Sequence, residues 1–185
     1  MDLLDLAAWP DRLEALVERI GAPLRTGRVI AECDSTQDLA RAMGAGAVVV
    51  AGRQVAGRGQ RGNRWADTAG DGLAFSMALP ATDQPECSLA LAHALVDSLP
   101  SEVEAAVKPP NDVLVQGRKL AGVLVEQADG LAVIGIGINV HQEAWSDELE
   151  PIAISLRQAG CTMDRLEVLE CVLPGLVEAW NRYTG

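Results

Sequence analysis

The sequence predicts an α+β fold: a single domain with a mixed, largely antiparallel sheet and helices packed on one side. Three observations point there. Strand and helix patterns follow one another irregularly, with hairpins in place of strict β-α-β crossovers. The 185 residues contain no linker, repeat or low-complexity run, which fits one domain. Hydrophobic residues make up 49% of the chain, enough for a core, yet no apolar run is long enough to span a bilayer.

The elements follow in order. Residues 11–20 place Leu13, Leu16, Val17 and Ile20 on one helical face. "GRVIAEC" (27–33) reads as a short strand and "DSTQDLARAMG" (34–44) as a helix, with Ser35 or Asp34 as N-cap and Gly44 as the stop. "AVVVAGRQ" (47–54) and "GLAFSMAL" (72–79) are strands on either side of a glycine-arginine loop. A helix is expected over about 86–99, with His93 an ordinary residue of one face. Strands return from 103, with "QGRK" and "ADG" as hairpin turns between β-branched runs. Two helices are expected to close the chain, at 152–159 and 164–182. The second opens on a capping pattern, Asp164 then Glu167, and carries a kink or break at Pro174.

Composition excludes several functions. A net charge of −11 argues against a nucleic-acid partner, because such affinity comes from neutralising phosphates. The first 20 residues open with acids and have no basic region of the secretory type, so a cytoplasmic protein without membrane partners is expected. The four cysteines show no C-x-x-C spacing, and with only two histidines, far apart, a zinc site is not expected. Small buried or half-buried residues are the reading for the cysteines.

Against this acidic background, "GRQVAGRGQRGNRWADTAGDG" (52–72) concentrates six glycines and four arginines (Arg53, Arg58, Arg61, Arg64). Glycines at 57, 59 and 62 let backbone N–H groups turn toward an anion or phosphate. The arginines between Gly57 and Gly72 are expected to repel one another until such an anion arrives. Neither a P-loop nor a dinucleotide fingerprint is present. Trp65 is either a platform for a flat base or a core residue. Further on, Pro109 and Pro110 stiffen the approach to Asn111 and Asp112 at a strand start. Lys119 begins the apolar strand "LAGVLVE", where a lysine is either solvated at the hairpin edge or chemically employed. Gly135, Gly137 and Asn139 interrupt "IGIGINV", and glycine within a strand signals close approach by another group.

Together, "STQ" (35–37), "GRGQRGNRW" (57–65), "KPPND" (108–112), "RKLAGVLVE" (118–126) and "GIGIN" (135–139) resemble the biotin protein ligases in residues, order and spacing, over about residues 27–183. The resemblance implies formation of biotinyl-5′-adenylate from biotin and ATP with Mg²⁺, then transfer of biotin to a lysine of a biotin carboxyl carrier domain. It implies Lys119, Arg58 and Asp112 as catalytic groups. Biotin would be held by Ser35, Thr36, Gln37, Gln54, Gly57, Arg58, Gly59, Gln60, Lys119, Gly122 and Leu124. The nucleotide would be held by Arg58, Arg61, Trp65, Asn111, Asp112, Lys119 and Asn139, with Asp112 as the metal-binding carboxylate. Such a protein supplies no nucleophile of its own, in keeping with the absence of a Ser-His-Asp or Cys-His pattern.

Three departures from the family pattern stand out. Pro109 replaces a usual tryptophan, and Gln60 replaces a frequent arginine. The small C-terminal β-barrel of about 50 residues is not expected here. Nor is an N-terminal DNA-binding domain, so residues 1–185 are read as the catalytic domain alone, monomeric or homodimeric. Two further readings stay open: a biotin or biotinyl-adenylate binder that no longer transfers, and a lipoate- or octanoyl-handling relative.

Overall fold

In the computed structural model, which describes residues 6–65 and 70–184, the chain runs α1 (Trp9–Ile20), β1 (Thr26–Cys33), α2 (Thr36–Met43), β2 (Ala47–Gln54), β3 (Gly72–Pro80), α3 (Cys87–Ser98), β4 (Ala105–Lys108), β5 (Asp112–Val115), β6 (Arg118–Ala128), β7 (Leu131–Asn139) and α4 (Arg165–Thr184). The seven strands form one sheet in the order β1-β2-β3-β7-β6-β5-β4. Only β1 and β2 pair in parallel; every other neighbouring pair is antiparallel. The expected mixed, largely antiparallel sheet is therefore present. Both hairpin turns form as expected, with positive φ at Gln116 and Gly117 and at Asp129 and Gly130, the conformation of a type I′ turn.

The two faces of the sheet differ in bulk. Val48, Val50, Leu73, Phe75, Met77, Leu79, Ile134, Ile136 and Ile138 project to one side and pack against α1, α3 and α4 in the main core. The opposite side carries Ala47, Val49, Ala78 and Val133, which α2 covers through Ala40. Three helices thus lie on one side as expected, and the fourth, α2, lies on the other. Ser35 caps α2, its hydroxyl accepting the Gln37 N–H at 3.3 Å.

The segment 152–159 forms turns where a helix was expected. Its backbone groups are engaged by the sheet: Lys119 N–H donates to Ile152 O (2.7 Å), Ile154 N–H to Lys119 O (3.0 Å) and Leu156 N–H to Asn139 O (3.0 Å). Bonds made to β6 and β7 are not available for a helix. In α4 the capping box forms, with Asp164 and Glu167 exchanging backbone-to-carboxylate bonds of 2.8 Å. The helix runs unbroken through Pro174. Buried Leu169, Leu173, Leu176, Val177 and Trp180 pack on both sides of the proline and outweigh its local cost of about 3 kcal/mol.

At the start of α4, Arg165 is 2% exposed. Its guanidinium donates to Gly52 O at 2.8 Å and to Gly72 O at 3.4 Å, and it lies 4.9 Å from the centre of the Trp9 ring. Gly52 and Gly72 sit where β2 and β3 part after their last pair, Ala51 with Ala74. One side chain therefore ties both stems of the glycine-arginine loop. Among the described residues, no helix is long and apolar enough to cross a membrane, and no cluster of His, Cys, Asp or Glu could hold a metal by itself. Cys87 and Cys161 are buried and Cys33 is half-buried; Cys171 is exposed, contrary to the expectation for the cysteines.

Candidate active site

The shallow face of the sheet opens into a cleft of about 380 Å³. Its floor is made of small residues on three central strands: Ser76 of β3, Gly135 and Gly137 of β7, and Gly122 of β6. A Cβ at Gly135 would fall 2.8 Å from Gln37 Cδ, and one at Gly137 would fall 2.6 Å from Trp65 Cζ2. Close approach by another group, the sequence reading of both glycines, is what they permit.

One end of the cleft is polar and neutral. Gln54 Oε1 accepts from the Thr36 N–H (2.7 Å) and Oγ1 (3.0 Å), and Thr36 Oγ1 lies 2.7 Å from Ser76 Oγ. Gln37, 3% exposed, lines the cleft with its Nε2 buried and unbonded. A buried donor without a partner costs stability, and a ligand acceptor would meet it only after the side chain turned toward the cleft.

The other end is charged. The pairing of β5 with β6 shifts at a bulge: Val113 faces Ala121, but Leu114 faces Lys119, leaving Leu120 as the extra residue. This puts Leu120 and Ala121 both in the core while Lys119 and Gly122 both line the cleft. Lys119 Nζ pairs with Asp112 Oδ1 at 2.6 Å. It also stands 5.8 Å from the centre of the half-buried Trp65 ring. Trp65 thus walls the cleft and is not part of the main core.

The loop that carries Trp65 closes on itself. Gly59 N–H donates to Asn63 O (2.7 Å) and Trp65 N–H to Gly57 O (2.9 Å), around a short 3₁₀ turn at Gln60–Gly62. Arg58 and Gln60 line the cleft; the side chain of Arg61 lies outside the described residues. Arg58 bonds Asp38 at 2.8 Å and Glu126 at 3.4 Å. The Asp38 bond holds the guanidinium above its ordinary pKa, and Arg58 in turn holds the Asp38 carboxyl below its own. The expectation that the loop arginines stand opposed until an anion arrives therefore fails at Arg58. Arg53, on β2 before the loop, pairs with Glu32 at 3.1 Å.

Of the residues singled out in the sequence, Thr36, Gln37, Gln54, Arg58, Gly59, Gln60, Trp65, Asn111, Asp112, Lys119, Gly122 and Leu124 meet in the cleft. Three lie behind it. Ser35 caps α2, and Gly57 faces a second cavity beneath the loop. Asn139 donates through Nδ2 to Lys119 O and Ile154 O, both at 3.1 Å, bracing the strand that carries the lysine. Asn111, inside the cleft, braces β6 in the same way by donating to Val123 O at 2.6 Å. Sequence reading missed Ser76, although one hydroxyl in the apolar strand "GLAFSMAL" was the available signal. It also missed Arg165, Asp38 and Glu126, for which the sequence offered none.

Fold and site together define a class: a mixed-sheet domain whose cleft runs between a neutral polar end and a charged end with an aromatic wall. Residues 27–143 match the biotin/lipoate A/B protein ligase family. The chain belongs to that family. The bifunctional ligase/repressor BirA of Bacillus subtilis is 38% identical over 142 residues, 69% of this chain and 44% of that protein. The biotin–(acetyl-CoA-carboxylase) ligase of Mycobacterium tuberculosis is 38% identical over 156 residues, 76% of this chain and 58% of that one. Among solved structures, biotin protein ligase from Aquifex aeolicus in complex with biotin and ATP matches with a TM-score of 0.77 at 32% identity, covering 86% of this chain and 72% of that one. The chain spans about half the length of the curated relatives it matches.

Proposed function

We propose that the protein is an ATP-dependent biotin protein ligase: it joins biotin to AMP, then passes biotin to a lysine of a carboxylase carrier domain. The observation that supports this best is the division of the cleft. Thr36, Gln37 and Gln54 supply neutral hydrogen-bonding groups at one end, suited to the fused-ring head of biotin. Lys119 and Arg58 supply positive charge at the other, where the biotin carboxylate and the α-phosphate of ATP must meet.

In the first step a biotin carboxylate oxygen attacks the α-phosphorus. The bond to the bridging oxygen of the β-phosphate breaks, and pyrophosphate leaves with the electron pair. Negative charge builds on the α-phosphate oxygens, and a preorganised lysine and arginine stabilise it. In the second step the neutral amine of the acceptor lysine attacks the anhydride carbonyl, AMP departs, and the amine loses a proton. Asp112 is the one carboxylate lining the cleft among the described residues, so it is the group we assign to receive that proton. A lone carboxylate also suits a Mg²⁺ ion carried in by the nucleotide, because Mg²⁺ is held largely by substrate phosphates and water. Neither histidine lines the cleft, in keeping with chemistry in which the substrate supplies the nucleophile.

Mass spectrometry of a carrier domain incubated with the protein, ATP and biotin tests the proposal. The carrier gains one biotinyl group, with AMP and pyrophosphate released. Adenylate without carrier labelling would leave a protein that activates biotin but does not transfer it, and labelling only with lipoate or octanoate would move the protein to the other branch of its family.

Two predictions arise at this site. Gly137→Ala pushes the Trp65 ring off the strand, because the new methyl overlaps it. We expect Trp65 emission to shift to the red without ligand and ATP binding to weaken about five- to ten-fold, the lower range for a lost base–aromatic stack. Emission and ATP affinity that both stay unchanged would remove Trp65 from the nucleotide site. The second concerns Gln60. Glutamine gives the adenylate a neutral bond where arginine would give a charge-assisted one, a difference of roughly 1 kcal/mol. Gln60→Arg should slow adenylate dissociation about five-fold and reduce labelling of bystander lysines. Equal off-rates would mean that a neighbouring arginine already supplies the contact.

A further inference from the structure

The ion pairs of Arg58 belong to a chain of alternating charge, Asp38–Arg58–Glu126–Arg41. Arg58 bonds Asp38 through Nη1 and Glu126 through Nη2, and Glu126 also bonds Arg41 at 3.0 Å. Asp38 and Arg41 lie on the same face of α2, three residues apart, and Glu126 lies on β6. Both terminal nitrogens of the guanidinium are therefore engaged by the protein's own carboxylates, although Arg58 lines the cleft. A bidentate grip on a carboxylate or phosphate takes two parallel N–H groups. An incoming anion that grips Arg58 through Nη1 and Nη2 competes with the two acids for those groups.

We propose that Asp38 and Glu126 form an internal anion clasp: they hold Arg58, and with it the glycine-arginine loop, against α2 and β6, and they compete with the anionic ligand for the guanidinium. The two acids are positioning residues, acting through Arg58. The inference rests on the ligase reading above, which supplies the anion. The clasp gives the site a loop already closed in register, with a charge that is neutralised until substrate takes it over. It also sets a limit on how tightly the anion is held, since each departure of the ligand is assisted by the acids reclaiming Arg58.

A competing clasp and a merely supporting one predict opposite signs. The test is calorimetric titration of the unmodified protein and of Asp38→Asn/Glu126→Gln with two probes, biotin and its neutral carboxamide. In the double variant biotin should bind about three- to ten-fold tighter, the range for one exposed and one partly exposed ion pair removed from competition. The carboxamide should bind as before. The gain should shrink toward 1 M salt, where screening acts within about 3 Å. Asp38→Glu in place of Asp38→Asn, with Glu126 intact, should restore the original affinity.

Biotin binding that is unchanged or weaker in the double variant would overturn the clasp. Loss of both probes together would show that the acids only support the loop. If the double variant fails to fold, Asp38→Asn alone carries the test, at an exposed position and with about half the effect on a logarithmic scale. Should the unmodified protein bind neither probe, the ligase reading falls and the clasp with it. If it binds both equally, the ligase reading stands, but Arg58 does not serve the carboxylate and the clasp is wrong.

Discussion

Lys119→Ala should leave the protein folded and lower adenylate formation about 100- to 1000-fold, the loss seen when one donor to a developing charge is removed. The amine reaches the cleft over Gly122, where an added Cβ would lie 3.3 Å from Nζ, and it is fixed there by Asp112 at 2.6 Å. Its side chain is 39% exposed, so the ion pair itself contributes at most about 1 kcal/mol to stability. The backbone bonds of residue 119 to Ile152, Ile154 and Asn139 do not depend on the side chain. The expected pattern is thus a thermal midpoint within a few degrees of the original and a fall in kcat that is not matched by KM for biotin. Adenylate formed at an ordinary rate by Lys119→Ala would remove the lysine from the chemistry. A collapse of the midpoint would make its role structural.

Arg165→Leu should act the other way, lowering stability by about 3 kcal/mol. The substitution leaves the carbonyls of Gly52 and Gly72 without their charged donor at a buried position, and such bonds are worth roughly 1.5–3 kcal/mol each. It also removes a cation from the Trp9 face. For a chain of this size the midpoint should drop by about 6–12 °C. A cation at a helix N-terminus works against the helix dipole, so Arg165 gains little from its own helix and its worth lies in its tertiary contacts. Arg165→Lys keeps the charge without the planar fork and should recover only part of the loss. A midpoint within 2 °C of the original in Arg165→Leu would show that other groups already satisfy those carbonyls.

The most legible parts of this protein were those governed by local rules. The β-branched runs with Gly and Asp at their ends became β6, β7 and their I′ turn because the backbone conformation of that turn selects those residues. Asp164 and Glu167 closed their box because both partners lie within one turn. The segment 152–159 was misread for the complementary reason. Its apolar spacing allowed a helix, but its N–H and C=O groups were claimed by Lys119 and Asn139, residues far away in the chain. Likewise α2, read as one more helix on a common face, went to the other side, because Ala74, Ser76, Ala78, Gly135 and Gly137 leave a shallow surface there.

The sequence by itself determined the mixed sheet, the hairpins, the loop of glycine and arginine, and the set of residue types that an anion site needs. Those follow from periodicity, turn chemistry and charge, which act over a few residues. Only the tertiary structure decided where the charges point. A one-residue bulge at Leu120 turns Lys119 to the same face as Gly122, against the strict alternation of a regular strand. Whether Arg58 meets solvent or carboxylates depends on α2 and β6 arriving beside the loop from positions 20 and 68 residues away. Charge interactions decay with distance in space and are indifferent to distance along the chain, so no reading of neighbours in sequence contains them.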